Sequence, residues 1–493
     1  MYMANNIFTV FVIYYSLFHR ELQLFDNKSE IMKYFPENVF GIFTTIRRTH
    51  TISHKLTEYP QDVHGCIGYW EPNFNNLDSR SLYDNMLRVS YDSVWSDSRR
   101  TYFHPIEKEP DTIIEIDFML NPIYKINKET GIIEKLKTQF TNKEYGIIIQ
   151  TKDKRHRATY LPDVFPDIRW NDLVISIKSK AGIEEDDFQL FAYKIHQIKS
   201  VFSNILNNKW FNYYCIYKFT RLLTDNMQSK LEFPFPYSCK QNKLSWNSKD
   251  QVRNISALSE VFKYANLYQN LLSKSELKTI KNKIINILNN IDKYNAQSVS
   301  FLGYIYPLLI PDKDINTHVK YHEKLRKRLP QSESDFEKQE IIIGLNRSGC
   351  NNGFLSNLLQ TLTFNQNDSI FKMNWIIQAI ISFDEIPSTG MIEIFIQKID
   401  NLLQEKSVET NYLAVAFEGL CFSYKPMKQN KYSKTLKDKI KPLKNKIFKL
   451  LFELLFILEQ RKSCNNTLYA FLDKTSRVDI TGHITNGLAE LVI

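Results

Sequence analysis

Hydrophobic and polar positions divide the chain into two parts with different rhythms. Up to about residue 200, short runs rich in β-branched and aromatic residues alternate with polar turns, a mixed α and β pattern. Val39 to Ile46 (VFGIFTTI) predicts a strand, Thr49 to Asp62 a hairpin connection, and Cys66 to Trp70 the returning strand. Leu82, Met86, Val89 and Val94 give one apolar face to a helix over Ser81 to Ser96, with Ser79 or Ser81 near its N-cap. Thr112 to Leu120 and Tyr145 to Gln150 predict further strands. Ala158 to Leu161 pairs with the second of these across the polar turn KDKRHR. A helix over Trp170 to Ala181 stops at Gly182. Ahead of all these, Ile7 to Phe18 is apolar. It is too short to cross a bilayer, which takes about 20 residues. It also lacks the basic flank and small-residue cleavage site of a signal peptide. It predicts a buried first helix ending near Asp26 and Asn27.

Beyond residue 200 the strand signal nearly vanishes and apolar positions recur with helical spacing. Helices are predicted over Ser256 to Leu272, Ser275 to Ile291, Gly353 to Leu362, Phe371 to Phe383, Met391 to Leu403, Tyr412 to Phe422, Lys439 to Glu459 and Gly482 to Val492. Short polar breaks between them suggest stacked helical hairpins. The segment NTLYAFLDKTSRVDITGHITNGLAEL resembles the hairpins of α/α-toroid proteins, and an open α-solenoid is the alternative. The fold class is therefore an α+β domain with a mixed sheet and flanking helices, followed by an all-α domain. The expected boundaries are a leading helix in 1–34, the α+β domain in 35–200, a connecting segment in 201–250 and the helical domain in 251–493.

Composition adds bounds rather than a function. At 493 residues there is room for two or three domains, each with its own core. A net charge of +10 raises the question of nucleic acid. The basic residues are scattered, with short clusters at Arg47-Arg48, Arg99-Arg100, Lys152 to Arg157 and Lys324 to Arg328. None is interleaved with aromatics, which argues against specific nucleic-acid recognition. The cysteines at 66, 215, 239, 350, 421 and 464 form no CxxC pair. They read as reduced thiols of a cytoplasmic protein.

Six ordered segments carry a family resemblance. ENVFGIFTTI precedes His64-Gly65-Cys66-Ile67-Gly68. Asp97-Ser98-Arg99 precedes His104-Pro105-Ile106. Glu115-Ile116-Asp117 leads to Asn121-Pro122. Gly146 to Ile149 is followed by Ala158-Thr159-Tyr160-Leu161-Pro162-Asp163-Val164, and Trp170 by Lys180-Ala181-Gly182. Together these resemble the AMMECR1 domain, with its strand before LRGCIG, its D-x-R-F-x-P segment and its A-T-F-L-P-E-V region. Two departures fall at the motif. Val63-His64 stands where the family has Leu-Arg, and Arg100-Thr101-Tyr102 extends the segment before Phe103. The resemblance implies an α+β fold and a site at Cys66, and names neither a substrate nor a cofactor.

The residues themselves suggest chemistry that can be weighed. Gly65 and Gly68 leave the backbone around Cys66 clear for a ligand, or else mark close packing or a bulge. A cation beside Cys66, from His64 or Arg99, would activate its thiol; a small packed thiol is the alternative. Asp97 and Arg99 can hold a polar ligand, Arg99 through a bidentate clamp, or form an ion pair at a helix end. Glu115 and Asp117 share one strand face, opposite Ile114 and Ile116. They offer a general base or line an exposed face. Thr159 presents a hydroxyl near the Pro162-Asp163 turn. His50, His54, His64 and Cys66 fit no standard zinc spacing, so no metal is expected. In the helical part, Glu418, Asp479 and His483 are candidates for a central cleft, or for hydrogen-bonded core groups.

Three functions remain open at this point. One is a binding module for a small molecule or protein, sited around Cys66. Another is an enzyme using the Cys66 thiol. The last is a cleft in the helical domain.

Overall fold

A computed structural model describes residues 11–18, 29–33, 35–47, 63–98, 112–126, 145–162, 170–184, 187–225, 234–238, 243–246, 251–268, 271–305, 315–349, 353–432, 436–461, 475–476 and 478–492. The chain forms two compact units, Met1–Asn208 and Lys209–Ile493.

In the first unit, residues 11–18 form helix α1, which buries Phe11, Val12, Ile13, Tyr14 and Leu17, as its unbroken apolar run requires. A short helix α2 (Ser29–Met32) precedes strands β1 (Val39–Arg47) and β2 (Val63–Trp70). Helix α3 (Ser79–Trp95) follows, capped by Asp78, which accepts from the Ser81 N–H at 2.8 Å. Then come β3 (Ile113–Ile126), β4 (Tyr145–Thr151), β5 (Arg157–Tyr160), helix α4 (Trp170–Lys180) and β6 (Phe188–Val201). Helix α4 ends at Gly182, whose φ of +64° favours glycine. The hairpin connection expected over Thr49 to Asp62 lies outside the described residues.

The six strands form one antiparallel sheet in the order β2-β1-β3-β6-β4-β5. β6 is central, yet the sequence pattern does not announce it. Lys194, His196, Gln197 and Lys199 interrupt its apolar alternation. On one face, Thr44 shares a 3.0 Å hydroxyl contact with Ser90 of α3. Farther along the sheet, Ile147, Ile149 and Ala158 pack with Leu173 and Ile177 of α4. The other face is concave. It carries Phe40, Phe43, Met119, Ile148, Phe191 and Tyr193 as a core, edged by Cys66 and Trp70.

The second unit begins with helix α5 (Lys209–Asp225) and strands β7 (Pro234–Ser238) and β8 (Lys243–Trp246). Helices α6 (Gln251–Leu267), α7 (Lys274–Asn289), α8 (Ala296–Ser300), α9 (Ile315–Arg328), α10 (Asp335–Arg347), α11 (Gly353–Thr361), α12 (Ile370–Ser382), α13 (Thr389–Gln404), α14 (Thr410–Lys428) and α15 (Lys437–Gln460) follow. A two-residue strand β9 (Thr475–Ser476) leads into α16 (Val478–Val492). Serines mark several starts. Ser273, Ser334, Ser369 and Ser388 cap α7, α10, α12 and α13, the first as a full capping box. Helices α9 and α10 do not emerge from the sequence pattern.

Contacts run from α6 to α8, α10, α12, α14 and α16, and α16 returns to α5 and α6. The ring is therefore closed, which distinguishes the toroid from the open solenoid. Ring helices α12 and α14 are buried nearly all round, whereas α7 and α13 bury one stripe and lie outside. β7 pairs antiparallel with both β8 and β9, a small sheet that joins the chain entering α6 to the chain entering α16.

Candidate functional site

Antiparallel register sets the residues of the concave face in transverse rows. Cys66 faces Thr45, Thr45 faces Glu115, and Glu115 faces Lys199. In the next row Gly68 faces Phe43, Phe43 faces Asp117, and Asp117 faces Gln197. Cys66 is half-buried at the edge of the aromatic core. Its Sγ accepts from the Thr45 hydroxyl at 3.2 Å. Its N–H, on the outer edge of strand β2, donates to Asp97 Oδ2 at 2.9 Å. Asp97, just beyond α3, thus satisfies an outward N–H of β2, the edge strand among the described residues.

The two glycines of the motif meet protein. A methyl group on Gly65 would overlap the carbonyl of Ser93 in α3, and one on Gly68 would overlap the Phe43 ring. Their lack of a side chain serves helix-on-strand and ring-on-strand packing. His64 is fully buried. Arg99 lies outside the described residues, as do His50 and His54.

Glu115 and Asp117 share a face, as the alternation predicts, but that face is not exposed. Both are buried. Glu115 is held by Arg47 at 2.7 Å and Lys199 at 2.7 Å, and Asp117 accepts from Gln197 at 2.9 Å. Curling of the sheet covers the row and makes such partners necessary. Thr159 donates to the carbonyl of Ile147, and its hydroxyl meets that of Tyr193 at 2.8 Å. Burial drives the Tyr193 phenol well above its usual range, with Asp117 and Cys66 adding to the shift. The structure therefore brings Cys66, Asp97, Gly65 and Gly68 together at one edge. Glu115 stands two strands away, and Thr159 reaches the same face through Tyr193.

A second polar centre lies inside the helical ring. His483 Nδ1 of α16 is 2.9 Å from Glu418 Oε2 of α14. Glu418 also accepts from Asn374 of α12 at 2.9 Å and Asn486 of α16 at 2.6 Å. Asp479 stands in the first turn of α16; its side chain lies outside the described residues. Around this network are groups that the sequence pattern had not singled out. Burial lifts Glu260 of α6 to about 7 and Glu340 of α10 to about 8, with Glu418 reinforcing both. Burial would also raise Glu490 of α16, but Lys263 and Lys425 outweigh it and hold that carboxyl at about 2. Lys263 is 3.1 Å and Lys425 2.7 Å from Glu490. The missed signal was spacing. Glu418 and Lys425, Glu340 and Arg347, and His483 and Glu490 each recur at seven residues on otherwise apolar helices.

Among the described residues no group of three His, Cys, Asp or Glu side chains is placed to hold a metal ion, and no helix is long and apolar enough to cross a membrane. Cys66, Cys215 and Cys421 are not in disulfides.

An antiparallel sheet with a concave polar and aromatic face, backed by helices and joined to a closed helical ring, defines the class. Residues 15–200 match the AMMECR1 family model, so the first unit carries an AMMECR1 domain. No curated protein and no solved structure matches the chain.

Proposed function

We propose that the AMMECR1 domain of this protein is a binding module whose ligand lies on the concave sheet face beside Cys66. The observation that supports this reading is the half-buried Cys66, fixed by Thr45 and Asp97 at the border of an aromatic core. Concave apolar surfaces with a few fixed polar groups are the usual form of small-molecule sites. Cysteines outside disulfides in both units suit a reducing, cytoplasmic setting. A binding role is favoured over thiol catalysis because Asp97 anchors the backbone N–H of Cys66 and Thr45 its Sγ, contacts that fix the position of the residue on the face. Crystals of the full chain soaked with a library of small fragments test the reading. Fragments should collect on the concave face within contact of Cys66. If they bind elsewhere and leave that face empty, the reading falls.

A second reading places a binding cleft at the ring centre, favoured by one observation. Glu340 is 4% exposed and its carboxyl faces Arg347, Glu418, His483 and Glu260, so that ionisable groups from several ring helices converge on one centre. Burial of such groups disfavours charge, and a ligand that brings its own charge or hydrogen bonds would offset that cost. The same fragment soak tests this reading at the ring centre.

A further inference from the structure

The concave face holds a second group of polar atoms, distinct from Cys66. Gln150 of β4 and Arg157 of β5 are register partners, so their side chains stand together on this face. The Arg157 guanidinium lies over the Trp70 ring, 4.9 Å from its centroid. Trp70 itself stacks on Phe43, with ring centroids 5.8 Å apart. Three atoms here are buried without a hydrogen-bond partner: Trp70 Nε1, Arg157 Nη1 and Gln150 Oε1. Gln150 is only 2% exposed. No carboxylate among the described residues forms a salt bridge with Arg157.

Buried polar groups in native proteins are nearly always paired, and an orphaned guanidinium N–H is among the costlier exceptions. Two orphaned donors and one orphaned acceptor together have a common complement. The donors, one of them cationic, call for an oxyanion, which Arg binds through charge-assisted hydrogen bonds. The acceptor on Gln150 calls for a hydroxyl or N–H beside that oxyanion. Four residues along β2 separate Trp70 from Cys66, about 13 Å at the usual strand rise. One elongated ligand can therefore touch both.

We infer that Arg157, Trp70 and Gln150 form a subsite for an oxyanion, a carboxylate or phosphate carrying an adjacent hydrogen-bond donor. This deepens the reading of the concave face as a ligand site and rests on it. Two probes separate the sources of the anion: inorganic phosphate, and glycolate as a hydroxycarboxylate. Each is titrated calorimetrically into the full chain, with sodium chloride at matched ionic strength as the reference for the basic surface. One probe should bind with one-to-one stoichiometry. Arg157→Gln should weaken it about tenfold or more, which is about 1.4 kcal/mol, and Gln150→Leu should weaken it several-fold. Trp70→Phe keeps the stacked ring and removes only the N–H. It should also weaken binding, and it serves if Arg157→Gln does not fold. Binding no stronger than chloride for both probes overturns the inference. So does binding that all three variants retain. Anion binding lost in the variants, with no fragment reaching Cys66, would keep this subsite and discard the Cys66-centred reading.

Discussion

Arg157 lies with its guanidinium 4.9 Å from the centre of the Trp70 ring, although their strands stand at opposite ends of the sheet order. Only a strongly curled sheet brings β2 and β5 that close. Trp70 is the joint, held between Arg157 and Phe43. Trp70→Ala should cost about 3 kcal/mol through lost ring burial and stacking. Chemical denaturation of the AMMECR1 domain, followed by near-ultraviolet circular dichroism, measures it. A loss well under 1 kcal/mol would mean the two edges do not meet.

The glycines of the HGCIG motif make separable predictions. Gly65→Ala drives a methyl group into the Ser93 carbonyl of α3, a backbone atom that cannot yield cheaply. It should destabilise by about 3 kcal/mol or more. Gly390→Ala, in the first turn of α13 with open space around it, should be neutral or slightly stabilising. Thermal unfolding of the two variants should separate them clearly.

Glu340 sets a pH dependence in the ring. An ordinary glutamate ionises near 4.5, and burial raises Glu340 to about 8. Between those values the folded protein holds a proton that the unfolded chain has released. Stability from this group therefore falls as pH rises from about 4.5 to 8. Glu340→Gln removes the term. It should gain a few kcal/mol over the parent protein at pH 9 relative to the comparison at pH 5. Urea unfolding of both proteins at the two values checks it, and parallel pH profiles would contradict it.

Glu490 works in the opposite sense. Lys263 and Lys425 outweigh burial and hold it at about 2, so its contribution is present above pH 4.5 and lost as pH falls toward 2. Glu490→Gln leaves two ammonium groups facing a neutral amide and should cost about 3 to 5 kcal/mol at pH 7. The deficit should shrink as the pH is lowered through the same window.

Much of this was legible from local patterning, and the limits have physical causes. Val39 to Ile46 and Tyr145 to Gln150 alternate or run apolar because one or both faces are buried, so their strands were readable. β6 was not, since its polar residues answer to partners in other strands, as Gln197 does to Asp117. Glu115 illustrates the same limit. Its face was assigned correctly, but its burial depends on sheet curl and on Arg47 and Lys199, which no local window reports. Glu418 was singled out because a charged residue stood out on an apolar helix, and His483 through the resemblance of its segment to toroid hairpins. Glu340 and Glu260 were missed, because only closure of the ring makes their spacing meaningful.

The central claim is that Cys66 borders a face that a ligand can reach. Cys421 supplies an internal reference, being fully buried in the ring, with its thiol pushed well up by burial. The folded full chain is treated with N-ethylmaleimide at pH 7, and labelling of both cysteines is followed by peptide mass spectrometry. Cys66 should be modified while Cys421 stays protected and the fold is retained. Equal protection of the two thiols would show that Cys66 is a core residue and would contradict the account.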